Sequence, residues 1–417
     1  MKILDGLSSR EKLFLAVSFF FILYNAFPLL GDILPIEAQY VCIFTTVSLV
    51  VLFPLALAHK AIKCFFVFIL LLFINGIMGR YIHINGLANY ALPLTWRLFI
   101  EIAWILPALL IMSILKQKSN PRLYKIIGFG SVFIVTVSFL YILPIITSYS
   151  NILRSALHEE NLDFNRPIGL PDYTLMHAYT FMLPGLCLYI KVNKGIKKYI
   201  AILLTLLFYY IITQTAVSTS ISLGALVIIG SVLYDDKHLG STIAKFALLF
   251  VLCYIVYSTG LILGLIDSLL PVFDGTAVQF KLEDLHTSIV QGSLQGGSFE
   301  GREALHKIST DSFYANPLFG GGKAGGHSQM YDILGTVGII GFIPFALVIW
   351  NTYKSYRELI QLRIVHIYLT LCFAVSFIYI YHKGIFGATG WLFMCVIAPC
   401  LVMAINYDKL KNSNKIK

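Results

Sequence analysis

Charge is scarce in this sequence. Of 417 residues only 12% are Asp, Glu, Lys or Arg, against 58% hydrophobic, too little solvated surface for a water-soluble fold of this length. Lipid is therefore the expected solvent. The short alternating segments of an outer-membrane barrel are missing too: apolar runs are continuous, as over residues 65–73 and 201–212, which predicts helices. The seven cysteines include no C-x-x-C pair, and Cys42, Cys64, Cys187, Cys253, Cys372, Cys395 and Cys400 all fall in apolar segments, so neither a zinc site nor a disulfide framework is expected. Residues 320–326 lack the P-loop pattern, because Lys323 is followed by Ala324 and Pro317 occupies the key glycine position. The first apolar segment has no small-residue cleavage site and is read as retained rather than as a signal peptide.

What is present is a series of apolar segments near 13–34, 39–58, 62–79, 97–115, 124–147, 175–192, 199–213, 216–234, 243–266, 328–350, 364–382 and 385–406. Each is long enough to cross a core of about 30 Å at roughly 1.5 Å per residue. The expected fold is thus an all-α polytopic membrane protein of about 12 transmembrane helices in a single integral domain, residues 1–417. If the N-terminus is cytoplasmic, the termini and even-numbered connections carry 22 of the 31 Lys and Arg and the odd connections 9. That asymmetry predicts both termini inside, and it explains the net charge of +10 without nucleic acid as a partner. Two connections are long, 148–174 and 267–326. Both fall outside by the same count, and the second is expected to contain a short helix near 301–314.

The spans are poor in charge. Glu101, near the outer end of the fourth, is the main exception, while Asp32, Asp267 and Asp332 lie close to outer boundaries. An ion-coupled transporter would need several ionisable groups near the midplane. The polar candidates gather in the long loops instead. Arg166 stands in Asn165-Arg166-Pro167-Ile168-Gly169 directly before the sixth span, and a guanidinium there can grip a phosphate with two parallel hydrogen bonds. Taken alone it reads sooner as a headgroup or loop salt bridge, since an arginine at a membrane boundary is ordinary. The second loop holds Arg302, then Asn316-Pro317-Leu318-Phe319-Gly320-Gly321-Gly322, then His327 at the mouth of the tenth span, with Tyr331 and Asp332 just beyond. A histidine titrates near neutral pH and can accept a hydroxyl proton; alone, it reads as an interfacial hydrogen bonder. The charge count sets all three on one side without having used them as evidence. The Ser/Thr run over 213–222 has no adjacent acid–base partner and is expected to pack polar groups between helices.

In order and spacing these residues resemble the O-antigen polymerase and ligase superfamily. The shared pattern is Arg-x-x-Gly at Arg166 and Gly169 before a span and a long outer loop with Arg302. Asn316-Pro317-Leu318-Phe319-Gly320-x-Gly322, a histidine entering the next span, and Gly335-x-x-Gly338-x-x-Gly341 follow. Topology agrees over nearly the whole chain; the motifs cover about sixty residues. The resemblance implies a type-C glycosyltransferase-like fold with two long periplasmic loops in a bacterial inner membrane, and a glycosyltransferase acting on undecaprenyl-diphosphate-linked oligosaccharide in lipopolysaccharide biosynthesis. It implies no cofactor and no metal. Arg166 and Arg302 would hold the donor diphosphate and His327 would activate the acceptor hydroxyl, with Glu101, Tyr331, Asp332, Gly320 and Gly322 as supporting candidates. A chain-length regulator and a flippase are implied as partners. Two departures stand out: many relatives carry an arginine where this chain reads Ser218-Thr219-Ser220, and His327-Ser328-Gln329 replaces the His-Asn-Glu frequent in ligases. The expectation is a polymerase; a ligase handing the same glycan to lipid A-core is the alternative, and a flippase the reading from another class.

Overall fold

The structure, a computed structural model, describes residues 6–34, 36–77, 82–83, 94–148, 169–170, 173–214, 217–235, 238–275, 277–291, 298–326, 328–383 and 387–413. They form an α-helical bundle whose helices run α1 Ser9–Ala26, α2 Pro28–Ile33, α3 Ala38–Leu52, α4 Lys60–Ile77, α5 Leu94–Lys118, α6 Pro121–Ser148, α7 Tyr173–Val192, α8 Ile196–Thr213, α9 Ser218–Leu233 and α10 Leu239–Ser258. The remainder are α11 Leu261–Leu269, α12 Ala277–Gln291, α13 Ser298–Ala315, α14 Gln329–Arg357, α15 Arg363–His382, α16 Gly387–Leu392 and α17 Ala398–Ser413. Among the described residues eight helices are long and apolar enough to cross a membrane, or nine if the bent pair Gly240–Val256 and Leu261–Phe273 is one span. This is an all-α multi-pass membrane protein.

Several expected spans are broken helices, each at a residue that explains the break. Pro28 starts α2 after Phe27 leaves helical geometry, since proline suits a first helical position and not an interior one. Pro54 likewise converts the end of the second segment into a 3-10 turn, Pro54–Ala58. The ninth segment bends by 84° at Gly260, whose φ of +72° is a left-handed conformation that favours glycine. The long segment 267–326 is largely helical, carrying α12 and α13; the helix expected near 301–314 runs Ser298–Ala315. The loop 148–174 is described only at residues 148, 169–170 and 173–174.

The final span is the pillar of the bundle. Over Gly387–Leu410, 94% of the apolar window is buried, against 28% for α8 at the periphery. Close approach at two glycines permits this. A Cβ at Gly128 of α6 would lie 2.8 Å from the Cys400 carbonyl oxygen, and one at Gly185 of α7 2.7 Å from a Leu401 methyl, so small residues let three backbones converge. Pro399 lacks the N–H that would have bonded Cys395, and the chain widens into a π turn at Phe393–Ile397. The buried Tyr356 hydroxyl donates to the Cys395 carbonyl at 2.7 Å, replacing the lost bond.

Contacts at the helix ends sort the bundle into two poles. Lys116, ending α5, pairs with Glu358, just past α14, at 2.8 Å, and Lys125, starting α6, pairs with Asp408 of α17. At the other pole Asn75, near the end of α4, reaches α14 near its start; Ser328, before α14, reaches the end of α15; Gly169, before α7, reaches Asp32 of α2.

Gly128→Ala is expected to lower the thermal midpoint of the detergent-solubilised protein, because the obstructing atoms are backbone and overpacking costs roughly 1–3 kcal/mol. Gly264→Ala, where a Cβ meets nothing within 4 Å, should not lower the midpoint, since alanine is the better helix former. Equal midpoints for both variants would refute the clasp.

Candidate functional site at the mouth of α14

Inside α14 the helix breaks at Gly338, with φ +62° and ψ −165°. The break frees backbone groups in a span, where no lipid atom can bond them. The segment 316–322 supplies what is missing. Ile339 N–H donates to the Pro317 carbonyl at 2.9 Å and Ile340 N–H to that of Leu318 at 3.1 Å. The side-chain amide of Asn75, only 4% exposed, donates at 2.8 Å to both Phe319 and Thr336 carbonyls; the Thr336 oxygen needs this partner because Ile340 has turned to Leu318. Gly322 N–H donates to the Gly335 carbonyl at 3.1 Å. Gly320 has a φ of +73°, and a Cβ on it would lie 2.5 Å from the Thr336 carbonyl carbon. Gly320 and Gly322, expected as supporting site residues, thus serve to seat this loop against the broken span.

Around the first turns of α14 the seat continues as a hydroxyl-rich network. Asp332 accepts from the Ser309 hydroxyl at 2.7 Å and from Gly326 N–H at 3.1 Å. Ser309 in turn accepts from Gly325 N–H at 2.8 Å. The Ser312 hydroxyl donates to Gly335 O at 2.8 Å and accepts from Lys323 N–H at 3.0 Å. A two-residue parallel bridge pairs Ile82 with Lys323 and His83 with Ala324, tying the connection after α4 to the same loop. Ser328 caps α14 and its hydroxyl donates to the Tyr381 carbonyl at 2.5 Å. Above these, Tyr331 and Tyr381 share a hydroxyl contact of 3.1 Å, and the rings of His306 and Tyr331 lie 5.1 Å apart.

The expected site residues divide accordingly. Tyr331, Asp332, Gly320 and Gly322 come together at the mouth of α14. Arg302 belongs to α13, four and seven residues before His306 and Ser309; its side chain lies outside the described residues. His327 also lies outside them, between the bonded Gly326 and the cap Ser328. Arg166 lies outside them too; Gly169 of its Arg-x-x-Gly motif donates to the Asp32 carboxylate at 2.6 Å, at the pole that α14 opens on. Glu101 is half-buried on a different element, α5.

Three features escaped the sequence reading. His306 and Ser309 share the α13 face that meets α14, a placement an i, i+3 spacing would have suggested. A buried chain joins α7, α9 and α15, in which the Ser220 hydroxyl lies 2.9 Å from His177 Nδ1 and accepts from the Tyr379 hydroxyl at 2.6 Å. Ser220 is thus interhelical polar packing, as its run of hydroxyl residues predicts. Lys383, one turn beyond Tyr379, is 5% exposed, and burial pushes its ammonium down to about 8.

The fold and this site define a class: a multi-pass helical membrane protein that presents a hydroxyl-, glycine- and aromatic-lined mouth at the pole opposite its paired lysines. Compared with known protein families and with curated proteins, the chain shows no match.

Two outcomes test the site. Asn75→Ala leaves the buried Thr336 carbonyl unbonded at about 1–3 kcal/mol and removes the donor to the part-buried Phe319 carbonyl, so amide exchange at Gly322, Ile339 and Ile340 should accelerate in the detergent-solubilised protein; unchanged protection would remove Asn75 from this role. For Lys383, the folded value of about 8 lies below that of an exposed lysine, about 10.4. Burying the charge therefore costs stability at neutral pH, a cost that fades as pH climbs through that window. Against Lys383→Met, the parent should gain up to roughly 3 kcal/mol across it, read as the difference in thermal midpoints; a flat difference refutes the shift.

Proposed function

We propose that this chain is a glycosyltransferase of the O-antigen polymerase type. In this reading it has twelve spans, both termini lie in the cytoplasm of a bacterial inner membrane, and the mouth of α14 faces the periplasm. It joins undecaprenyl-diphosphate-linked repeat units into polysaccharide. The observation that carries the reading is the seating of residues 316–326 on the break at Gly338. It gives the motif Asn316-Pro317-Leu318-Phe319-Gly320-x-Gly322 and the glycines at 335 and 338 one shared task, a rigid mouth around the position of His327.

The reaction is a displacement at the anomeric carbon of the growing glycan. The terminal hydroxyl of a newly delivered lipid-linked unit attacks and His327 takes its proton. The bond from the anomeric carbon to the diphosphate oxygen breaks, and lipid diphosphate leaves with both electrons of that bond. Arg166 and Arg302 offset the charge that gathers on the leaving oxygen, since a guanidinium holds a phosphate with two charge-assisted hydrogen bonds. Tyr331, His306 and Tyr381 form an aromatic rim suited to the apolar faces of sugar rings.

His327→Ala in the host strain is expected to leave lipopolysaccharide with a single repeat unit, the loss of a general base costing about 10²–10⁴ in rate. Arg302→Gln should shorten the ladder, while Lys307→Gln, exposed on α13, should not. An undiminished ladder in His327→Ala refutes the assignment. Deletion separates the ligase, since bare core with accumulating lipid-linked polymer marks a ligase and one capped repeat a polymerase.

A further inference from the structure

At the opposite pole, where α7, α8, α9 and α10 end or begin, a cleft of about 720 Å³ opens. Its cations come from separate elements: Lys191 of α7, Lys194 of the following turn, Lys198 of α8 and Lys245 of α10. One carboxylate among the described lining residues, Asp235, stands against them, and it lies 3.4 Å from a His238 ring nitrogen. Lys191 donates to the Tyr234 carbonyl and lies over that tyrosine's ring. Lys194, Lys198 and Lys245 line the remainder.

The cleft also borders lipid. Tyr199 lines it and is 71% exposed, and below it on α8 Ile200 and Leu203 are 51% and 67% exposed. On a helix long and apolar enough to span, such surface meets acyl chains, and a tyrosine between the two zones belongs at the headgroup level. Ammonium groups are point charges well suited to phosphate. Basic pockets between spanning helices favour anionic headgroups.

We infer that this cleft binds the phosphate of an anionic glycerophospholipid, with the acyl chains running beside Ile200 and Leu203. The site stands apart from the mouth of α14 and does not rest on the glycosyl-transfer reading.

Native mass spectrometry of the full chain in micelles carrying phosphatidylglycerol or phosphatidylcholine tests this. Phosphatidylglycerol should be retained several-fold over phosphatidylcholine. The preference should vanish in Lys194→Gln/Lys198→Gln/Lys245→Gln and persist in the corresponding triple arginine variant, which keeps the charge and reports on folding. A control triple, Lys60→Gln/Lys63→Gln/Lys354→Gln, at the same pole but away from the cleft, should keep it. Equal retention of the two lipids, or equal loss in the control, overturns the site. Inorganic phosphate and glycerol 3-phosphate, added in a neutral detergent, should not displace phosphatidylglycerol; displacement would overturn the lipid assignment in favour of a soluble phosphate.

Discussion

Everything at the mouth of α14 follows from one requirement: a span that breaks within its own length must find partners for the backbone groups it releases. Lipid offers none, and each group left unbonded in hydrocarbon costs several kcal/mol. At Gly338 the debt is met from two directions. Carbonyls of Pro317 and Leu318 accept the freed N–H groups, and the Asn75 amide donates to the freed Thr336 oxygen and to Phe319. Because the same atoms fix both the helix and the loop, neither can shift alone. A polar loop that must hold a geometry against solvent gains its rigidity from the membrane-embedded half of the molecule.

The last span solves a related problem by a different route. Pro399 removes a donor in the most buried helix of the bundle, and the buried Tyr356 hydroxyl replaces it. In both places a side chain from another helix restores a backbone bond. Such substitutes are specific in direction and distance, so they also fix which segments are neighbours: α4 against α14, and α14 against the π turn Phe393–Ile397. Apolar packing alone distinguishes neighbours poorly here, since lipid tails are as apolar as the side chains they would displace.

The sequence discloses the helical class directly, because runs such as residues 65–73 leave no other way to bond a backbone in lipid. Every one of the apolar segments read from it forms helix in the described residues. The helix near 301–314 was legible for the same reason that its partners were not: helix formation is local, whereas the pairing of Ser309 with Asp332 depends on tertiary approach. The breaks were visible as residues, Pro28, Pro54, Gly260, Gly338 and Pro399, but glycine and proline are common in spanning helices and their effect depends on whether a neighbour can supply the lost bonds. The tie between residues 82–83 and 323–324 left no local signal at all. The resemblance names Gly320 and Gly322 as supporting candidates, and the tertiary contact it could not give is that they let two backbones touch.

Charge is used differently at the two poles. Opposite the mouth, three lysines are engaged with protein groups, Lys116 with Glu358, Lys125 with Asp408 and Lys191 with the Tyr234 carbonyl, while Lys194, Lys198 and Lys245 line the cleft. Ion pairs this exposed contribute about 0–1 kcal/mol each, so they add little to stability. At the mouth of α14 the hydrogen bonds among the described residues run through hydroxyls, backbone groups and one carboxylate, and the described side chains of Lys307 and Lys323 are exposed. A scaffold assembled from hydroxyls, backbone groups and one carboxylate does not use lysine side chains to hold itself together. The frame at the mouth of α14 is thus complete in its own bonds, and among the described residues its lysine side chains stay in solvent.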